Sequence, residues 1–332
     1  MSQHFLLSAK ARSLSLSQVL RLTDDAAYET FKAVRWAETD GKPFCAKCGG
    51  VTVYEFKARR IFKCKACNAQ FSVTSGTIFA SRKMAHRDLL AAIAIFVNGA
   101  KGHSALQLSR DLDCQYKTAF VLAHKLRETM GAADKGTKVS CHVEIDGMYT
   151  GGYVKPSNYR ENRKDRRLAE NQTGKRQVVI VAREREGKTL TFVTKSEAEG
   201  VRGLHDRIAL GSTIYADEAS HWDAFHARYV TKRINHTVAY SHEGVSTNMA
   251  ESFFSRLRRA EIGIHHHIAG PYLAAYAAEM DWREDHRRIS NGQQYQMVVR
   301  AALAHPVSKN WKGYWQRSEK NERAARTDWL ND

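Results

Sequence analysis

Six cysteines occur in the chain, and four of them fall in one pattern. Cys45-Ala-Lys-Cys48 and Cys64-Lys-Ala-Cys67 make C-x2-C-x15-C-x2-C. Each pair can place two thiolates on one tight turn. Two such turns facing each other supply the tetrahedral four-sulfur set that Zn²⁺ prefers. Four thiolates leave no open coordination position, so a zinc ion held this way is structural. Gly49-Gly50 and Asn68 provide the backbone freedom these knuckles need. The competing readings are a thioredoxin-like redox site, disfavoured by the two matched pairs, and four buried free thiols. Cys114 and Cys141 lie outside the pattern and are expected to be small buried hydrophobes.

A second set of residues carries oxygen. Asp146 closes the apolar run 142–146, Asp217 closes 213–217, and Glu251 lies early in a helix, with 70 and 33 residues intervening. Carboxylates at the ends of adjacent strands, joined by a third from a helix, can hold two divalent cations. Mg²⁺ (or Mn²⁺) takes hard oxygen ligands and keeps positions for water and phosphate. Such a pair suits in-line phosphoryl displacement. On the helix, Asn248, Glu251, Ser255 and Arg258 share one face, while Ala250, Phe253, Phe254 and Leu257 share another that should pack on a sheet. The carboxylate would serve a metal and Arg258 a phosphate. Taken singly, each acid reads equally as a loop residue or helix cap, and the helix as an ordinary surface helix. His265-His266-His267 reads as a loop or a packed helix start in preference to a metal site.

Both sets need elements to position them. Asp24-Asp25 open a short helix through Trp36, and residues 51–56 and 60–63 read as two strands of a ribbon rich in Lys and Arg. Residues 86–97 form a short buried helix. Two further helices, 104–112 and about 115–130, broken at Asp113-Cys114, look like helix-turn-helix, with an ordinary helical linker as the alternative. From Val139 the periodicity changes to that of strands: 139–149, then a hairpin of 177–183 and 189–194, then 212–216 after a helix at 200–210. Helices follow at about 220–228, 248–262 and 270–288. The loop 155–176 holds eight basic and three acidic residues and is suited to tracking a DNA strand, or to being a solvated loop. The chain from Trp311 is charged and expected to be peripheral. This order describes a mixed α/β domain behind a small N-terminal module.

The chain has 332 residues, 43% hydrophobic and 26% charged, with a net charge of +17. Residues 1–138 carry 22 Lys/Arg against 11 Asp/Glu, a net of +11, so this part is expected to bind DNA by itself. The excess points to a polyanion, nucleic acid or an anionic membrane surface. The longest apolar run, Leu89–Val97, is nine residues, about half of what a bilayer span needs. No apolar segment marks a secretory signal near the N-terminus, so an intracellular protein is expected, and six cysteines are too sparse for a disulfide scaffold.

The combination resembles the zinc-ribbon insertion-sequence transposases of the DDE class, in their ISXO-like branch. The residues that carry the resemblance are Val143-Glu-Ile-Asp-Gly-Met-Tyr-Thr-Gly-Gly152, Ile214-Tyr-Ala-Asp-Glu218 and Val245-Ser-Thr-Asn-Met-Ala-Glu-Ser-Phe-Phe254. Gly263-Ile-His-His266 and Tyr276 through Glu279 to Trp282-Arg-Glu-Asp285 extend it, so that it covers about residues 20–300. The resemblance implies a ribbon over 20–80, a helical DNA-binding segment over 81–138, an RNase H-like catalytic domain over 139–290, and a tail over 291–332. It implies that Asp146, Asp217 and Glu251 bind Mg²⁺ or Mn²⁺, and that the protein binds its element's terminal inverted repeats. Water activated at that site would cut a phosphodiester, and the 3′-OH released would attack target DNA. A homo-oligomer on DNA, in the bacterial cytoplasm at the nucleoid, is implied, with no membrane partner. Two departures stand out. Gly147 replaces an acid that members often carry there. Arg258, with Arg259 beside it, replaces a Lys; Arg can hold a phosphate bidentately but cannot donate a proton as Lys does. Members differ over whether Asn or Glu completes the triad. Glu251 is favoured because an anionic oxygen binds Mg²⁺ better than an amide, with Asn248 assisting. A domesticated DNA-binding protein without chemistry and an RNase H-like nuclease are the rival readings.

Overall fold

The computed structural model describes residues 4–316 other than 166, 167 and 172. These divide into two compact units, one of residues 4–133 with 286–316 and one of 134–285.

The first unit begins with α1 (Leu16–Leu20) and α2 (Asp24–Arg35). Thr23 caps α2 by accepting a hydrogen bond from the Ala26 N–H, and Ala27, Tyr28 and Phe31 form its buried stripe. The ribbon follows as an antiparallel sheet of β1 (Val53–Phe56), β2 (Ile61–Cys64) and β3 (Gln70–Phe71), in that order. Trp36, just past α2, meets Phe62 edge-on at 5.4 Å and Phe71 at 6.5 Å between ring centroids, which seats the ribbon on the helix. Then come α3 (His86–Asn98), buried over nearly its whole length, α4 (Ala105–Asp111) and α5 (Tyr116–Ala132). The turn between α4 and α5 passes through Asp113 in a left-handed conformation, φ 46°.

The second unit is built on five strands: β4 (His142–Thr150), β5 (Gln177–Glu184), β6 (Thr189–Thr194), then, after α6 (Glu197–His205), β7 (Thr213–Asp217) and β8 (Val230–Ile234). Their order is β6-β5-β4-β7-β8. β5 runs antiparallel to both its neighbours, while β4, β7 and β8 are parallel. Strand alternation splits the side chains between two cores. Val143, Ile145, Ile180 and Ile214 face Leu204 of α6 and Trp222 and Phe225 of a 3₁₀ segment, Ser220–Ala227. Met148, Val179 and Val181 face Phe253, Phe254 and Leu257 of α7 (Asn248–Ala260) and Ala277 of α8 (Leu273–His286). The apolar residues expected on the sheet-facing side of the 248–262 helix are the ones that pack there.

The elements differ from expectation in four places. Residues 220–227 are 3₁₀ and α7 gives way at Glu261–His265 to a π-helical turn. β8, where no element was expected, is a five-residue edge strand carrying Lys232 and Arg233, whose charges hide its periodicity. Residues 291–304, expected within a tail, form α9 (Asn291–Ala304), which packs against α2, α3 and α5 and buries Tyr295, Val298, Val299, Ala302 and Leu303. The tail from 317 lies outside the described residues. Among those described, no helix is long and apolar enough to cross a membrane.

Candidate metal and catalytic sites

The four ribbon cysteines come together. Their sulfurs all lie within 4.8 Å of one another, with Cys45–Cys67 and Cys48–Cys64 each at 3.6 Å. A tetrahedron with Zn–S bonds of about 2.3 Å has edges of about 3.8 Å, so the sulfurs already stand at metal-bound spacing. The knuckles close through Gly49 N–H to Cys45 O at 2.8 Å and Asn68 N–H to Cys64 O at 3.0 Å, with Gly49 and Asn68 left-handed at φ 73° and 58°. A Cβ on Gly50 would lie 3.0 Å from the Cys64 sulfur and 3.4 Å from that of Cys48, so a side chain there would press on the cluster. Burial opposes ionisation of Cys45, but the N–H groups of Cys48 and Lys47 outweigh it and hold the thiol down at about 7. Of the two remaining cysteines, Cys114 is half-buried. Cys141 is exposed, against expectation, because it sits at a left-handed bend, φ 61°, where the chain turns into β4.

The acids are positioned by strand register. β4 and β7 pair through His142↔Thr213, Val143↔Ile214 and Glu144↔Tyr215. Asp146 and Asp217 each stand two residues beyond the last of these pairs, near enough for the charge of Asp217 to act on the Asp146 carboxyl. Asp146 alternates with Glu144 and Met148, so it faces the side of the sheet covered by α7, where Glu251 lies in the first turn. That turn is pinned by Glu144, fully buried in β4. Its Oε2 accepts hydrogen bonds from the N–H groups of Met249 (2.8 Å) and Ala250 (3.3 Å), and its Oε1 accepts from Arg185 Nε at 2.9 Å. Arg185 also donates to the carbonyl of Gly244 at 2.8 Å, and Arg183 donates to that of Met249 at 3.1 Å. A buried carboxylate thus satisfies the free N–H groups of the helix that carries Glu251 and Asn248.

Burial pushes the Asp146 carboxyl up to about 7. The Gly147 N–H, donating at 2.7 Å, works against this, and the negative charges of Asp217, Glu251 and Glu197 add to it. Asp217 accepts from the Ala219 N–H at 3.1 Å. His236 Nδ1 stands 3.5 Å from Glu251 Oε1, and its Nε2 pairs with Thr247 Oγ1 at 3.0 Å. Hard oxygen donors carrying mutually unneutralised charge fit a divalent cation such as Mg²⁺ or Mn²⁺. The acids are spread more widely than the thiols: among the described residues, the cysteines are the one group of three or more such ligands drawn within 4.8 Å. Asn248 is exposed at the start of α7. Arg258 is exposed two turns beyond Glu251, about 10 Å along the helix axis. His265 closes the π-helical turn with its ring against Tyr276 at 4.6 Å. Sequence reasoning passed over Glu144, Glu197 and His236. Glu144 shares a face with Asp146, two residues away, and that period-two spacing was its only signal.

The chain thus carries a zinc-type cysteine cluster in one unit and, in the other, a mixed sheet with Asp146 on β4 and Asp217 at the end of β7. Residues 22–70 match the transposase zinc-ribbon domain and residues 138–285 match the ISXO2-like transposase domain. The chain belongs to the zinc-ribbon insertion-sequence transposases of the DDE class, in the ISXO2-like branch. An uncharacterized protein in transposable element ISH50 of Halobacterium salinarum is 25% identical over 276 residues, covering 78% of this chain and 91% of that one. No solved structure matches the chain at a significant level.

Proposed function

We propose that the protein binds the terminal inverted repeats of its own insertion sequence, cleaves the DNA there, and joins the freed 3′ end to a target. The observation that carries this reading is that Asp146, two residues beyond the β4–β7 pairing, feels the negative charges of both Asp217 and Glu251. The mixed five-stranded sheet with helices on both faces supports an RNase H-like catalytic domain. Asp146, Asp217 and Glu251 hold the divalent cations, Mg²⁺ or Mn²⁺. Bound there, such cations supply charge neutralisation and polarisation at the phosphoryl group undergoing in-line displacement. Asn248 hydrogen-bonds substrate at the mouth of the site, and Arg258 clamps a phosphate further along the strand. The ribbon, held by structural zinc, and the α4–α5 pair recognise the element ends, in a homo-oligomer assembled on DNA. Their net positive charge supports that role.

The test is a gel assay of the purified full chain on end-containing DNA with Mg²⁺, run beside a binding assay. Asp146→Asn, Asp217→Asn and Glu251→Gln are expected to lose cleavage by about a hundredfold or more while still binding the ends. Asn248→Ala should lose less. If Glu251→Gln cleaves like the parent and Asn248→Ala is dead, the third ligand is Asn248. A parent that binds ends but cleaves with neither Mg²⁺ nor Mn²⁺ would make this a DNA-binding protein without chemistry.

A further inference from the structure

β7 stops at Asp217, whereas β4 runs on to Thr150. Their pairing ends at Glu144↔Tyr215 while β4 stays paired with β5 to Thr150↔Gln177, so the sheet has a notch beyond that point, where the chain leaves β4 toward β5 and leaves β7 toward β8. Crevices at such switch points are where open α/β sheets place ligands. α7 approaches the notch from one face. From the other face comes α6, and its first residue is Glu197.

Gly147 follows Asp146 and points to the α6 side. A Cβ there would meet Glu197 Oε1 at 2.1 Å, Cγ at 2.7 Å and Cδ at 2.8 Å, so the carboxylate occupies the space a side chain at 147 would fill. Its Oε2 is anchored: Tyr149 OH donates to it at 3.3 Å, and His221 Nε2, from the segment that follows Asp217, stands 3.3 Å away. Oε1 takes no hydrogen bond among the described residues. An acid opening a helix ordinarily serves its N-terminus, but that task belongs to others here. Ser196 Oγ accepts from the Glu199 N–H, and Glu199 Oε2 accepts from the Lys195 N–H. Glu197 is thus held at one oxygen, open at the other, and wedged between the chain following Asp146 and the chain following Asp217.

We propose that Glu197 is a fourth carboxylate of the divalent-cation site, reaching it from α6 through the gap that Gly147 leaves open. This rests on the assignment of Asp146 and Asp217 as cation ligands. Glu197 presents Oε1 to the cation, and Tyr149 and His221 fix the carboxylate's orientation through Oε2. Gly147 is then required for its lack of a side chain.

Titration of the zinc-loaded full chain with Mn²⁺ alone, followed by calorimetry and by the Mn²⁺ EPR signal, tests this without DNA or turnover. Glu197→Gln keeps an acceptor for Tyr149 and is expected to weaken Mn²⁺ binding by about ten- to hundredfold, with zinc content and melting temperature unchanged. Gly147→Ala should weaken it similarly by pushing Oε1 aside, and adding Gly147→Ala to Glu197→Gln should cost little more, because both act on one contact. If Glu197→Gln binds Mn²⁺ as the parent does while Asp146→Asn has lost it, the inference falls and the three-acid site stands. If neither substitution changes Mn²⁺ binding, the cation site itself is wrong and this inference goes with it.

Discussion

Asp146 is placed where the fold would prefer an uncharged group. Its carboxyl titrates at about 7 in the folded chain and near 4 when unfolded, so the native state holds an extra proton between those values. The stability linked to that proton is fully present below about pH 4 and is lost as pH rises through about 7. With the cation site empty, Asp146→Asn is therefore expected to be more stable than the parent, with a gap that widens from about pH 5.5 to about pH 8. Urea unfolding at the two pH values measures it, and a constant gap would show that the buried charge is not what destabilises the parent. The strand end at Asp217 was legible in the sequence because it terminates an apolar run; Asp146 was expected to close its strand in the same way, but β4 runs on to Thr150. Glu144 was not legible, because a carboxylate inside a strand shows no sign of the helix it will hold. Glu197 reads as a common helix-start acid, and only its approach to Gly147 separates it from one.

At the scale of elements, α7 depends on the strand beneath it. Glu144 is 1% exposed and meets both the N–H groups of α7 and the Arg185 guanidinium. Removing one partner of such a buried set leaves the other charge and the helix N–H groups unpaired. Glu144→Ala is expected to cost about 3 kcal/mol. Glu144→Gln, still able to accept hydrogen bonds, should cost less. Cleavage should fall in both, because the turn bearing Glu251 loses its seat; chemical denaturation and the cleavage assay read the two effects separately. The sheet-facing stripe of α7, the ribbon knuckles and the β5–β6 hairpin were all readable from spacing. α9 was missed although its signals were present. Ser290 and Gln293 form a capping box, and the buried Tyr295, Val298, Val299, Ala302 and Leu303 follow a helical period. The Asn291-Gly292 pair at its start reads as a turn and masked them.

For the whole molecule, the division at residues 133 and 286 matters most. The N-terminal unit was expected to be self-sufficient by residue 138, yet it takes α9 from the far end of the sequence into its core. A chain ending at residue 290 should accordingly lose the cooperative unfolding of that unit in calorimetry while keeping the transition of the five-stranded unit. Two intact transitions would show that α9 is dispensable. Linear distance could not reveal this, since nothing in the charge balance of residues 1–138 reports a missing helix. The same division sets an order of events during translation. About 150 residues separate the end of the first segment, Ala133, from its return at His286. At about 5–20 residues per second, a ribosome needs roughly 8–30 s to cross that interval. For that time the emerging chain carries a ribbon whose supporting helices wait for a partner not yet synthesised, while the sheet behind it gathers all its strands. A prematurely terminated product would hold the acids on a finished sheet and lack the completed basic unit.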